Sequence, residues 1–274
     1  MQKARLLAHS LAFFAAVVMV SPTLTPAQET AAVTLPEAQS LAAAMAAENP
    51  SVHSTSPQAL SVIHPTPKSR LPDFNRNIFY KNKLELSVES GWLPRNIPFV
   101  FDFLVDSPYT AWPLHYTLVP NLVSVRWQLD NIWGWKLLRG NTDFSFSGSY
   151  TAIPRGPETR YFAFDYGIRR YFIPQRWRFV PYVEGRGGVG NINAKGPHNV
   201  EYAQGQDTTF TLIVGSGGRY NFGPRYAVSA GAMYMHVSNF YLSEPRYEDF
   251  GINVWGATAG IYMRLGKAKP DIVQ

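Results

Sequence analysis

His236 and Ser238 put an imidazole and a hydroxyl into one short string, His236-Val237-Ser238-Asn239. In an extended strand the i, i+2 spacing turns both side chains to one face, about 6 to 7 Å apart along the chain. An imidazole beside a hydroxyl is the minimum for a base-activated nucleophile, because serine must shed its proton as it attacks. Asn239 follows at once, and its side-chain amide or its backbone N–H can serve a developing oxyanion. The chain has no cysteine, so thiol nucleophiles, disulfides and Cys-ligated metals are excluded. No metal or cofactor is called for. A lone His and Ser at a strand end are also ordinary interfacial polar residues, so the string has to be weighed with the elements that carry it.

Only 16% of the 274 residues are charged and 46% are hydrophobic, which excludes a disordered chain. The net charge of +6 is spread along the sequence. That distribution suits a solvated surface and gives no nucleic-acid site. Residues 1–27 read as a secretory signal: Lys3 and Arg5, then an apolar run from Leu6 to Val20, then small residues ending in Thr25-Pro26-Ala27. No other stretch reaches the roughly 18 apolar residues of a transmembrane helix. Residues 28–74 are an Ala/Pro-rich periplasmic extension or linker. Thr34 and Glu37 have capping-box spacing with Pro36 in the first turn, which predicts a short helix over 35–48. Residues 75–266 form the main domain, and 267–274 a C-terminal tail.

From Lys83 onward the hydrophobic period is two, in eight segments. Leu84, Leu86, Val88 and Trp92 oppose Glu85, Ser87 and Glu89; Phe162, Phe164 and Tyr166 oppose Asp165 and Arg169; Phe179, Val183 and Val189 oppose Arg178, Glu184 and Arg186. Segments this long, with large apolar residues on one face and charges of both signs on the other, predict an all-β, eight-stranded antiparallel transmembrane β-barrel. Its interior is then a packed ionic core, with Glu85, Glu89, Asp165 and Glu184 facing Arg126, Arg169, Arg178 and Arg186. With a periplasmic N-terminus, connections that face outside should be long and periplasmic ones short. The 2–3 link, near 128–142, breaks that pattern. Segment seven carries Tyr234, His236 and Ser238 on its larger, lipid-facing side. Asn253 has the same outward parity on segment eight and can lie across the ladder from His236.

The string MHVSNFYLSEPRYEDFGIN resembles the penultimate strand, loop and last strand of the outer-membrane lipid A deacylase family, the acyloxyacyl-hydrolase-like eight-stranded barrels. Its His-x-Ser-Asn motif is followed by Gly-Ile-Asn where that family has Gly-Ile-Glu or Gly-Ile-Asn. YGIRRYFIPQRWRFVPYVEGRGGVG resembles the family's central strands. The resemblance implies an outer-membrane esterase that removes an ester-linked acyl chain from lipid A of lipopolysaccharide in the outer leaflet. Carried over by position, Ser238 is the nucleophile, His236 the base and Asn239 the oxyanion donor. Asn253 stands where a Glu completes the pattern; its carbonyl can accept the His N–H but brings no charge. The loop acids Glu244, Glu248 and Asp249 are the alternative third member. Tyr234, Tyr241 and Trp255 are candidates for acyl-chain contact, or else for an interfacial aromatic girdle. The other functional readings are a non-catalytic outer-membrane barrel and a secreted barrel that binds an apolar ligand; a charged lumen argues against the second.

Overall fold

Alternation of apolar and polar residues, repeated eight times, closes into a barrel with every strand antiparallel to its neighbours. The computed structural model describes residues 73–97, 114–240, 242–243, 246–247 and 251–266. The signal segment, the helix expected over 35–48, the linker to Pro72 and the C-terminal tail lie outside the described residues. The strands are β1 (Leu84–Asn96), β2 (Thr117–Gln128), β3 (Gly140–Arg155), β4 (Arg160–Phe172), β5 (Phe179–Ile192), β6 (Thr208–Asn221), β7 (Tyr226–Ser238) and β8 (Ile252–Arg264). They pair in sequence order, and β1 closes the sheet on β8. Strands of 12 to 16 residues exceed the roughly 9 to 11 needed to cross a bilayer at a tilt.

The outer wall is apolar and exposed: Val88, Trp92, Val125, Phe146, Phe164, Val183, Val214 and Ile261 all face out. In water such a wall would be an extreme aggregation surface; against lipid it is the required one. The lumen is filled in three layers. At the end where the chain enters, Arg219 grips Glu85 through two bonds of 2.7 and 2.6 Å, and Lys83 donates to the same carboxylate at 3.0 Å. In the middle, Arg126 is bidentate on Asp143 (3.0 and 2.8 Å), and Arg169 donates to Glu184 at 2.8 Å and to Glu89 at 2.5 Å. Arg186 bonds both Glu89 and Glu184. Beneath the opposite rim the lumen turns apolar, with Leu93, Leu118, Met233, Met235, Val237, Ile252 and Val254 in one cluster. The inward parity of Met233, Met235 and Val237 is what turns Tyr234, His236 and Ser238 outward.

Two expectations about this interior need correction. Arg178 is not a lumen cation: it precedes β5 in the turn after β4 and donates to the Phe222 carbonyl at 2.9 Å. In the lumen it is Arg219 that serves Glu85. Asp165 bonds Ser149 Oγ at 2.9 Å, so its nearest partner is a hydroxyl. A short 3₁₀ turn, Phe74–Asn77, closes the entry end. Asn75 Nδ2 donates to the carbonyls of Pro174 and Trp177, and Ile78 and Phe79 pack on Tyr171, Val180 and Tyr182.

Glu89 sits where three guanidiniums and the Tyr262 hydroxyl converge. Removing one member of a buried ion cluster leaves uncompensated charge, which typically costs about 3 to 5 kcal/mol. Glu184 remains to share the load, so Glu89→Ala should cost about 3 kcal/mol, the low end of that range. The check is the urea midpoint of the barrel in detergent micelles; an unchanged midpoint contradicts the ionic-core description.

Candidate active site

β7 and β8 lie side by side in a register that pairs His236 with Asn253 and Tyr234 with Trp255. On the other flank, His236 pairs with Leu212 and Ser238 with Phe210 of β6. The alternation that buries Val237 and Ile252 in the lumen leaves His236 and Asn253 half-buried on the outer wall. Ser238 ends β7 at 8% exposure. The site therefore lies on the outside of the barrel at the rim opposite the chain's entry, where the connections include the long 193–207 and 239–251 segments.

The hydrogen bonds fix the chemistry of the imidazole. Asn253 Nδ2 donates to the Gly251 carbonyl at 2.9 Å. A carbonyl only accepts, so the amide nitrogen must face Gly251 and Oδ1 must face the other way. That oxygen lies 2.7 Å from His236 Nδ1 and accepts the Tyr234 hydroxyl at 2.6 Å. Oδ1 cannot donate, so Nδ1 carries the proton and Nε2 keeps its lone pair. The Ser238 hydroxyl oxygen accepts the Phe240 backbone N–H at 3.1 Å. That contact uses a lone pair of the hydroxyl oxygen and not its proton. Phe240 holds a left-handed backbone (φ 54°), and its ring packs on Phe210 with centroids 4.8 Å apart.

Asn239 is fully buried, and its Nδ2 donates to Ser243 Oγ at 2.8 Å, while Ser243 Oγ donates to the Tyr247 carbonyl at 3.0 Å. Its side chain thus ties the start of the loop together. Tyr241, Glu244, Glu248 and Asp249 lie outside the described residues. Arg246 is exposed, its guanidinium 5.3 Å from the Tyr247 ring. Below the site, Trp255 and Trp92 wall an apolar groove of about 310 Å³ whose lining includes Ala232, Gly256, Ala257 and Pro94. Small residues on β7 and β8 make the groove; the two tryptophans make its sides.

Gly251, the residue just before β8, lies where the backbone passes close to the imidazole. A Cβ there would lie 2.7 Å from His236 Cε1 and 3.5 Å from Ser238 Cβ. Only glycine leaves room for the imidazole in the orientation that Asn253 sets. Its parity, two residues before Asn253 on the same face, was the available signal. Gly251→Ala should turn the ring off its bond to Asn253 and lower turnover about tenfold, the order of a misplaced supporting contact, with the barrel intact. Unchanged turnover in that variant contradicts the close fit.

A comparison with curated protein sequences finds no match. Among solved structures, the chain is similar to the outer-membrane enzyme PagL at 15% identity, over 64% of this chain and 97% of that one, with a TM-score of 0.40. It is similar to Neisserial surface protein A at 12% identity (66% and 96% covered, TM-score 0.39). The N-terminal barrel of Pseudomonas aeruginosa OprF matches at 13% identity (68% and 98% covered, TM-score 0.38). The family model for lipid A 3-O-deacylase (PagL) matches residues 121–262, just over half of the chain, a span that runs from β2 into β8 and takes in Tyr234, His236, Ser238 and Asn253. By that match this chain, a closed barrel of the outer membrane, belongs to the lipid A 3-O-deacylase (PagL) family.

Proposed function

We propose that this protein is an esterase that hydrolyses the 3-O-linked acyl chain of lipid A by a Ser238–His236 mechanism. The observation that carries the reading is the oriented His236–Asn253 pair, whose amide is locked by the Gly251 carbonyl and which makes Nε2 the basic nitrogen of the ring. Ser238 Oγ attacks the ester carbonyl while its proton passes to His236 Nε2. The tetrahedral intermediate collapses as the imidazolium returns that proton to the departing sugar oxygen. An acyl-Ser238 ester remains. Water, deprotonated by the same imidazole, then releases the free fatty acid and restores the serine.

Asn239 acts in this scheme through its backbone N–H, because its side-chain nitrogen is engaged with Ser243. Asn253 holds the tautomer of His236 and offers its amide dipole, in place of a carboxylate charge, to the transient imidazolium. Tyr234 is a positioning residue that steadies Oδ1 from the second side. Trp255, with Trp92, borders the apolar groove on the outer wall below the site, a surface that fits an acyl chain whose ester lies at the polar–apolar boundary. Tyr241 is the further candidate for chain contact. An outward site at a barrel rim reaches such an ester without drawing the lipid out of the membrane, which favours lipid A of the outer leaflet as substrate.

Mass spectrometry of lipid A from cells with and without the protein tests the reading. The expected result is a species lighter by one ester-linked acyl chain, with a free 3-hydroxyl, only when the protein is present. Identical lipid A in both strains, with the barrel folded in the membrane, would overturn it.

A further inference from the structure

The link between β2 and β3, which broke the expected pattern of short turns, forms a built structure of its own. Trp133 and Gly140 exchange two backbone bonds of 2.9 and 2.8 Å, and a 3₁₀ turn, Lys136–Leu138, forms the tip. Gly134 has φ +92°, and a Cβ there would lie 2.6 Å from the Leu138 carbonyl oxygen. Arg139 fastens the base to Asp73 and to the Ile173 carbonyl. This hydrogen-bonded hairpin presents apolar side chains outward: Trp135 is 73% exposed, Leu137 88% and Leu138 68%. Those values exceed even that of Phe164 on the lipid-facing wall, at 65%. Stable exposure of this kind marks a contact surface.

The side to which the hairpin folds identifies its partner. Arg170 lies between Arg169 and Tyr171 on β4, both fully buried in the lumen, so its own side chain starts outward. Its guanidinium is 4.4 Å from the Trp133 ring, and it donates to the Leu138 carbonyl at 2.9 Å and to Thr142 Oγ1 at 3.2 Å. The hairpin is therefore laid against the outer wall, covering the one kind of residue that wall does not tolerate, and its apolar tip continues the lipid-facing surface. It lies at the same end as the tight 222–225 turn and the closing 3₁₀ turn, opposite to His236. In a barrel that has short periplasmic turns, this is the inner-leaflet end. Arg139 is matched by Asp73 and Arg170 by Asp130. The charge offered outward is that of Lys136, whose ammonium sits 4.2 Å over the Trp135 ring. A tryptophan with an adjacent cation suits the headgroup region, the ring at the acyl boundary and the ammonium at phosphate.

We infer that the Trp133–Gly140 hairpin is an interfacial anchor seated in the inner leaflet, with glycerophospholipid as its partner: Trp135, Leu137 and Leu138 enter the acyl boundary and Lys136 meets the phosphates. The chain lacks cysteine, so Leu137→Cys accepts a single spin label at an exposed site, with Trp135 and Leu138 kept in place. Gly223→Cys, in the tight turn at the same end, is the reference, since a Cβ there meets nothing within 4 Å. Both are reconstituted in vesicles of phosphatidylethanolamine and phosphatidylglycerol, with folding verified by heat-modifiable mobility. The expected result is collision with oxygen severalfold favoured over a water-soluble nickel chelate at 137, and the reverse at 223. Equal chelate access at both positions would overturn the anchor. So would dipolar broadening at 137 that disappears on dilution with unlabelled protein, which would assign the surface to a second copy.

Discussion

Ser238→Ala should lower lipid A deacylation by about 10³-fold or more, and His236→Ala by a similar factor, because each removes the same proton-transfer event. The double variant should be no slower than either single one, the mark of residues that act as a unit. The barrel should assemble normally in all three. Both side chains stand on the outer wall, and the packing beneath them comes from Val237, Met235 and Ile252. Initial rates on one micellar lipid A substrate, with heat-modifiable mobility as the folding control, check this. Wild-type rates in Ser238→Ala would reject the nucleophile assignment.

Asn253→Ala should slow the reaction about 10²- to 10³-fold, between the loss of an orienting contact and the enforcement of a wrong tautomer. Without Oδ1, the bond that holds the proton on Nδ1 is gone, and so is the bond from the Tyr234 hydroxyl to Asn253. Substrate affinity should change little, because the amide faces the imidazole and not the groove. The competing arrangement gives the third role to Glu244, Glu248 or Asp249 in the loop. Alanine variants of the three acids, measured beside Asn253→Ala on the same substrate, separate the two. Full activity in Asn253→Ala together with loss in one acid variant would transfer the role to the loop.

The barrel was legible because lipid outside and charge inside make the period of two unusually clean. Glu85, Glu89, Arg126, Arg169, Glu184 and Arg186 all face the lumen as their parity requires. The same parity gives Asn253 the outward face it shares with His236, and the β7–β8 register pairs the two. What alternation does not carry is where a strand begins. Arg178 has the right parity for the lumen but precedes β5, so the turn takes it and Arg219 serves Glu85. The 2–3 link was opaque for a related reason. Its Trp and Leu residues follow neither period, because a hairpin closed by the Trp133–Gly140 pair and tied down by Arg139 presents them outward. At the site, residue types pointed to His236 and Ser238 as a candidate base and hydroxyl but not to the contacts that orient them. The Tyr234 hydroxyl on Asn253, the Phe240 N–H on Ser238 and the space kept by Gly251 depend on angles that spacing does not encode.

The most direct test of Ser238 as the nucleophile of lipid A deacylation is to quench the purified barrel in acid during turnover and map its peptides by mass spectrometry. The mechanism predicts an acyl adduct on the peptide that contains Ser238, present with wild-type protein and substrate and absent in Ser238→Ala. An adduct on another residue, or sustained release of the 3-O-linked acyl chain by Ser238→Ala, would contradict it.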